Sequence, residues 1–128
     1  MLTDNHFHNG LLLLSYLVIA ADGKLDDEEK EALKKICEKE NISIEYMNNF
    51  LRYAMVLPEK EVYTKGLEEI DHCSHEEKLR AFSWLYRISE VDGMLHVKEV
   101  RFLLYSLKAA GIDFDDILAE KDKYPSLL

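Results

Sequence analysis

Apolar positions recur at helical spacing almost throughout the chain. Leu33, Ile36 and Cys37 stand at i, i+3 and i+4, and Val100, Leu103, Leu104 and Leu107 repeat the arrangement. Met47, Phe50, Leu51 and Ala54 mark another helix, and Ser43 ahead of it carries a hydroxyl suited to capping the first turn. Pro58 suits a first helical turn, followed by a face of Val62, Gly66, Leu67 and Ile70. Ser74 and Glu77 have capping-box spacing and open a helix through Leu79, Phe82, Leu85, Tyr86 and Ile88. Asp113 and Asp116 start a short last helix ahead of Tyr124-Pro125. The run Leu11 to Ala21 is apolar nearly all round, as a helix at the centre of a bundle must be. No stretch alternates strictly between hairpin turns, so strands are not expected. The pattern predicts an all-α bundle of about seven helices.

An internal repeat organises these helices. Tyr16 to Ile42 aligns without a gap on Tyr86 to Ile112, an offset of 70 residues. Seven of the 27 positions are identical: Tyr16/Tyr86, Asp22/Asp92, Gly23/Gly93, Leu25/Leu95, Glu29/Glu99, Leu33/Leu103 and Ile42/Ile112. The period is longer than that of common solenoids and fits a duplicated helical hairpin, each copy joined by an Asp-Gly turn. The repeat halves span approximately 11–42 and 81–112. The helices ending at Ala21 and Val91 are equivalent and apolar, so they are expected to pack near each other and bring the two turns into one neighbourhood.

At 128 residues the chain is one domain's worth, 1–128, with 48% hydrophobic residues to fill a core. Sixteen Lys and Arg against 25 Asp and Glu give a net charge of −9, which disfavours nucleic acid and anionic lipid and suits divalent cations or basic partners. Two cysteines, Cys37 and Cys73, are too few for a disulfide scaffold and read as reduced thiols, Cys37 on an apolar helix face. The segment before Leu11 has no Lys or Arg and carries Asp4, the wrong charge for a secretory leader, and the eleven apolar residues are too few to span a bilayer. A cytoplasmic location without membrane insertion is the expectation.

The two Asp-Gly turns are the candidate site. Gly23 and Gly93 each suit the left-handed position that ends a helix, with Leu25 or Leu95 packing back two residues on. Asp22 and Asp92 are less easily explained, because an anion at a helix C-terminus faces the negative end of the dipole, at about 0.3–1 kcal/mol. One reading is an Asx-turn, the carboxylate bonding its own loop. The other is a cation held between the turns. Glu29, with Asp26 ahead of it, fits a capping box, but Glu99 follows His96, a poor cap, and so keeps an acid where the local reason is weaker. Asp22, Glu29, Asp92 and Glu99 together would supply hard oxygen ligands suited to Mg²⁺ or Ca²⁺. An EF-hand is excluded: Gly23 at its sixth position would need ligands at Val18 and Ala20, which have none.

The segments Ala20-Ala21-Asp22-Gly23-Lys24-Leu25-Asp26-Asp27-Glu28-Glu29 and Val91-Asp92-Gly93-Met94-Leu95-His96-Val97-Lys98-Glu99 resemble the paired motifs of the TerB-like family. The resemblance spans roughly residues 11 to 121. It implies an all-helical fold of two related halves and an acidic metal site on Asp22, Glu29, Asp92 and Glu99. It further implies a role in tellurite resistance or stress response beside membrane-associated protein partners.

The remaining chemistry is thinner. His72-Cys73-Ser74-His75 has the look of a zinc half-site without its second half, and capping residues explain it locally. His6 and His8 are expected near a frayed terminus. No phosphate loop, dinucleotide fingerprint or nucleophile elbow occurs, and no positioned base or nucleophile stands out from the acids, so an enzyme is not expected. Two functions fit: a cation-binding module acting through a protein partner, or a helical interaction module without metal whose groove receives a partner helix and whose turns are structural.

Overall fold

The computed structural model describes residues 5–20, 27–91, 97–120 and 123, apart from the side chains of 97–100 and 102. Among the described residues seven helices follow one another and no strand occurs: α1 (His6–Ile19), α2 (Asp27–Lys39), α3 (Ile44–Met55), α4 (Glu59–Asp71), α5 (His75–Ser89), α6 (Val97–Ala110) and α7 (Phe114–Glu120). Their ends carry the caps that the sequence offers. The Ser43 hydroxyl accepts from the Tyr46 N–H at 3.0 Å, and Ser74 and Glu77 form a reciprocal capping box. Pro58 is itself the N-cap of α4 rather than its first helical residue, leaving its extended φ/ψ outside the helix.

The repeat is visible in the backbone. α5 ends 70 residues after α1, α6 begins 70 after α2, and α7 begins 70 after α3, so the correspondence reaches a third helix beyond the 27 aligned residues. Asn41 and Gly111, also 70 apart, are both left-handed, with φ of 59° and 74°. Each is followed by an isoleucine whose N–H reaches back to the preceding helix, Ile42 to the Cys37 carbonyl at 2.8 Å and Ile112 to the Leu107 carbonyl at 2.9 Å. This is the Schellman closure, built at one position by asparagine and at the other by glycine. Equivalent core positions are buried alike: Val18 and Ile88, Leu33 and Leu103, Cys37 and Leu107, Met47 and Ile117.

Helix α1 occupies the middle. Leu11, Leu12, Leu13 and Leu14 point in four directions around it and are all fully buried, which requires neighbours on every side. Those neighbours are α2, α3, α4 and α5. The closest is α4, where glycines thin both surfaces. A Cβ on Gly10 would lie 2.7 Å from Ile70 Cδ1, and one on Gly66 would lie 2.7 Å from Leu14 Cδ2. These pairings, Gly10 with Ile70 and Gly66 with Leu14, also show that α4 runs antiparallel to α1. Helix α1 begins five residues before the apolar run Leu11 to Ala21, so His6 and His8 lie in an ordered helix and not in a frayed terminus. The reason is local: Asn5 caps the helix by accepting from the His8 N–H at 3.0 Å, while Phe7, Asn9 and Gly10 are buried against the bundle.

Candidate functional site

The sequence places its four acids at the exits of α1 and α5 and the first turns of α2 and α6. Helices α1 and α5 do pack together. Glu77 of α5 shares a cleft with Asn5 and His6, and Arg80, one turn further on, lies over Phe7, so α5 runs in the same sense as α1. Their N-terminal ends meet where the Arg80 guanidinium lies 5.7 Å from the centre of the Phe7 ring. Both helices therefore leave the core toward the same end of the bundle. Asp22 and Asp92 lie outside the described residues, and so do the two Asp-Gly turns. Glu99 lies in the first turn of α6, its side chain outside the description. Glu29 is described: it sits in the first turn of α2 and is only 3% exposed. That burial is unusual for a carboxylate, since the neighbouring acids Asp27 and Glu28 in the same turn are exposed. Among the described residues, no group of three or more His, Cys, Asp or Glu side chains is arranged to hold a metal ion.

A second polar cluster, absent from the sequence reading, lies at the opposite end around the start of α1. Glu69 of α4 is buried and accepts from Asn9 Nδ2 at 3.3 Å through one carboxylate oxygen, while the other pairs with His6 Nδ1. The Tyr46 hydroxyl donates to Asn9 Oδ1 at 2.6 Å, so a continuous chain ties α3, α1 and α4. The His6 ring stacks on that of His72 with centroids 4.3 Å apart. On the other flank, Glu40 receives Arg80 through both oxygens at 2.6 Å and the Trp84 indole N–H at 2.8 Å. His8 lies in contact with Glu40, yet burial pushes its pKa below the usual histidine value, outweighing the hydrogen bond and charge of Glu40, which raise it. Glu69 thus ties α4 to the start of α1, and beside it Glu40 ties the end of α2 to α5. The spacing holds the signal for one of them: Glu69 falls at i+3 from Gly66 and i+7 from Val62, on the apolar face of its own helix. Glu40 is the repeat counterpart of Ala110, and only that mismatch distinguishes it.

A cleft of about 490 Å³ is lined by Asn5, His6, Phe7, His72, Cys73 and Glu77. Its one thiol, Cys73, donates to the Glu69 carbonyl at 3.6 Å, and burial with nearby Glu77 raises its pKa to about 11. Such a thiol stays protonated at neutral pH and is no nucleophile. Cys37 is fully buried and raised to about 12, as a packing residue should be. His72 caps α4 and Ser74 caps α5, the local roles that the sequence offered in place of a zinc half-site.

The family described as tellurite resistance protein TerB matches residues 8–120, nearly the whole chain. The chain belongs to the TerB family. No curated protein and no solved structure matches it significantly. TerB membership accounts for the all-helical architecture, and no described helix is long and apolar enough to cross a membrane. The match runs from the first turn of α1 to the end of α7, so Glu69, Asn9 and the paired helix exits all fall within it.

Proposed function

We propose that this TerB-family chain is a non-enzymatic protein of tellurite resistance or stress response. In this reading it holds a divalent cation, Mg²⁺ or Ca²⁺, at Asp22, Glu29, Asp92 and Glu99, and acts in the cytoplasm through a protein partner, one associated with the membrane. The family match carries the biological role. The cation reading rests on the buried carboxylate of Glu29, which stands at a position whose acid the repeat duplicates. Helices α1 and α5 run in the same sense, which favours a common site for acids contributed by both halves. The donor set is all oxygen, so Mg²⁺ and Ca²⁺ fit it better than a thiophilic metal.

Thermal melting across Mg²⁺, Ca²⁺, Mn²⁺ and Zn²⁺ tests this reading. Free cation at 100 times its Kd should raise stability by about 2.7 kcal/mol. Asp22→Asn with Asp92→Asn should abolish that rise. A response that is the same in the double variant, or absent from the wild type, would leave the turns with structural roles alone.

A further inference from the structure

We propose that the exposed face of α6 is a docking surface for an acidic amphipathic helix of a protein partner. The proposal names the chemistry of the partner in the reading above. In a chain of net charge −9, this face has the opposite sign. The exposed residues described on α6 are Arg101, Leu104, Tyr105, Lys108 and Ala109, and none is acidic. Every other helix with exposed residues among those described shows at least one exposed Asp or Glu: Glu31 on α2, Glu45 on α3, Glu59 on α4, Glu76 on α5 and Asp115 on α7. Between the two cations lie Leu104, 46% exposed, and Tyr105, 67% exposed. Each is one helical turn from Arg101 and one from Lys108, so the face reads cation, apolar pair, cation over about 10 Å. Tyrosine and arginine are the residue types that most often anchor interfaces.

Charge decides among occupants. A second copy pairing α6 on α6 would bring like charges together: antiparallel pairing sets Arg101 of one copy beside Lys108 of the other, and parallel pairing sets each against itself. Anionic lipid is bound by clusters of about four to eight basic residues, and two cations on an acidic body fall short of that. A helix with an apolar pair and an Asp or Glu one turn to either side complements the face in both shape and sign. The cleft of about 640 Å³ lined by Lys30, Glu45, Asn48, Leu51, Arg52 and Met55 mixes both signs and selects no such partner.

A photo-crosslinking amino acid at position 109, beside an intact Tyr105, tests the proposal in the cells that make the protein, with the captured segment identified by mass spectrometry. A control crosslinker replaces Thr64, exposed on α4. The expected product from position 109 is a helical segment with acidic residues two turns apart around an apolar pair. Arg101→Glu with Lys108→Glu should lower its yield about tenfold without moving the melting midpoint, and Tyr105→Ala should lower it independently. Crosslinks to lipid, to a second copy or to a segment without acidic residues would overturn the proposal. Capture from position 64 alone would overturn docking on α6 while leaving partner action standing, and capture from neither position would overturn both.

Discussion

Replacing Glu40 with alanine tests whether its carboxylate, by holding α5 to the end of α2, stabilises the fold. Glu40 is 7% exposed and accepts from two side chains of α5, bringing the α2–α3 connection against it. The Trp84 ring is 2% exposed, so its indole N–H loses a hydrogen bond to a charged acceptor in a place with little access to water. A bond of that kind contributes about 1.5–3 kcal/mol. Arg80 is 48% exposed and can turn to solvent, so its ion pair adds about 0.2–1 kcal/mol. Glu40→Ala should therefore cost about 2–4 kcal/mol in urea unfolding with an unchanged denaturant slope. A double-mutant cycle with Trp84→Phe assigns the larger share: the coupling between Glu40 and Trp84 should exceed that between Glu40 and Arg80. A loss below about 0.5 kcal/mol, the range of ordinary surface substitutions, would refute the view that this carboxylate anchors α5.

Three further outcomes follow from the same packing. The His8 pKa is lowered in the folded state, so below the unfolded value of 6.5 the unfolded chain binds more protons and stability falls as the pH drops. His8→Asn should flatten that loss in denaturation curves taken between pH 7 and 5, and an unchanged pH profile would contradict it. Native protein at pH 8 should react slowly with a thiol reagent at Cys73 and not at all at Cys37, both thiols being held protonated. Rapid modification of two thiols would place them wrongly. Gly10→Ala should destabilise by about 1 kcal/mol although alanine favours helix by a similar amount, because the new Cβ would lie 2.7 Å from Ile70 Cδ1 and 3.3 Å from the Ile70 backbone N. A stabilised variant would show that α1 and α4 are not in such close contact.

Much of this fold is legible in the sequence because the helices advertise themselves locally. Ser43 and Ser74 cap where their spacing says they should, and the apolar faces of α2, α3 and α5 are the buried ones. The repeat predicted that α1 and α5 would pack together, which they do. It did not reveal the third matching helix, because α3 and α7 share burial patterns rather than identities: Met47 and Ile117 are equally buried and chemically unlike. Nor did it reveal the start of α1, where Asn9, His6 and Glu69 meet across 60 residues or more of chain. Such contacts leave little local trace: Glu69 stands out by falling on the apolar face of its helix, while His6 and Asn9 read as ordinary polar positions. The face of α6 was partly readable: Leu104 falls within its helix's apolar spacing, yet it is 46% exposed while Leu103 and Leu107 are buried. Helix geometry leaves Leu104 on the rim of the apolar stripe, and periodicity alone does not say whether a rim position is covered.

The cation reading depends on the two repeats contributing to one centre, and relaxation by Mn²⁺ reports that directly. Substoichiometric Mn²⁺ in an ¹⁵N-labelled sample should broaden the amides of residues 21–29 and 92–99 together, at a single concentration, while those around Glu69 at the far end stay sharp. Broadening of one segment without the other, at unrelated concentrations, or spread over exposed acids such as Glu31 and Asp115, would contradict a shared site.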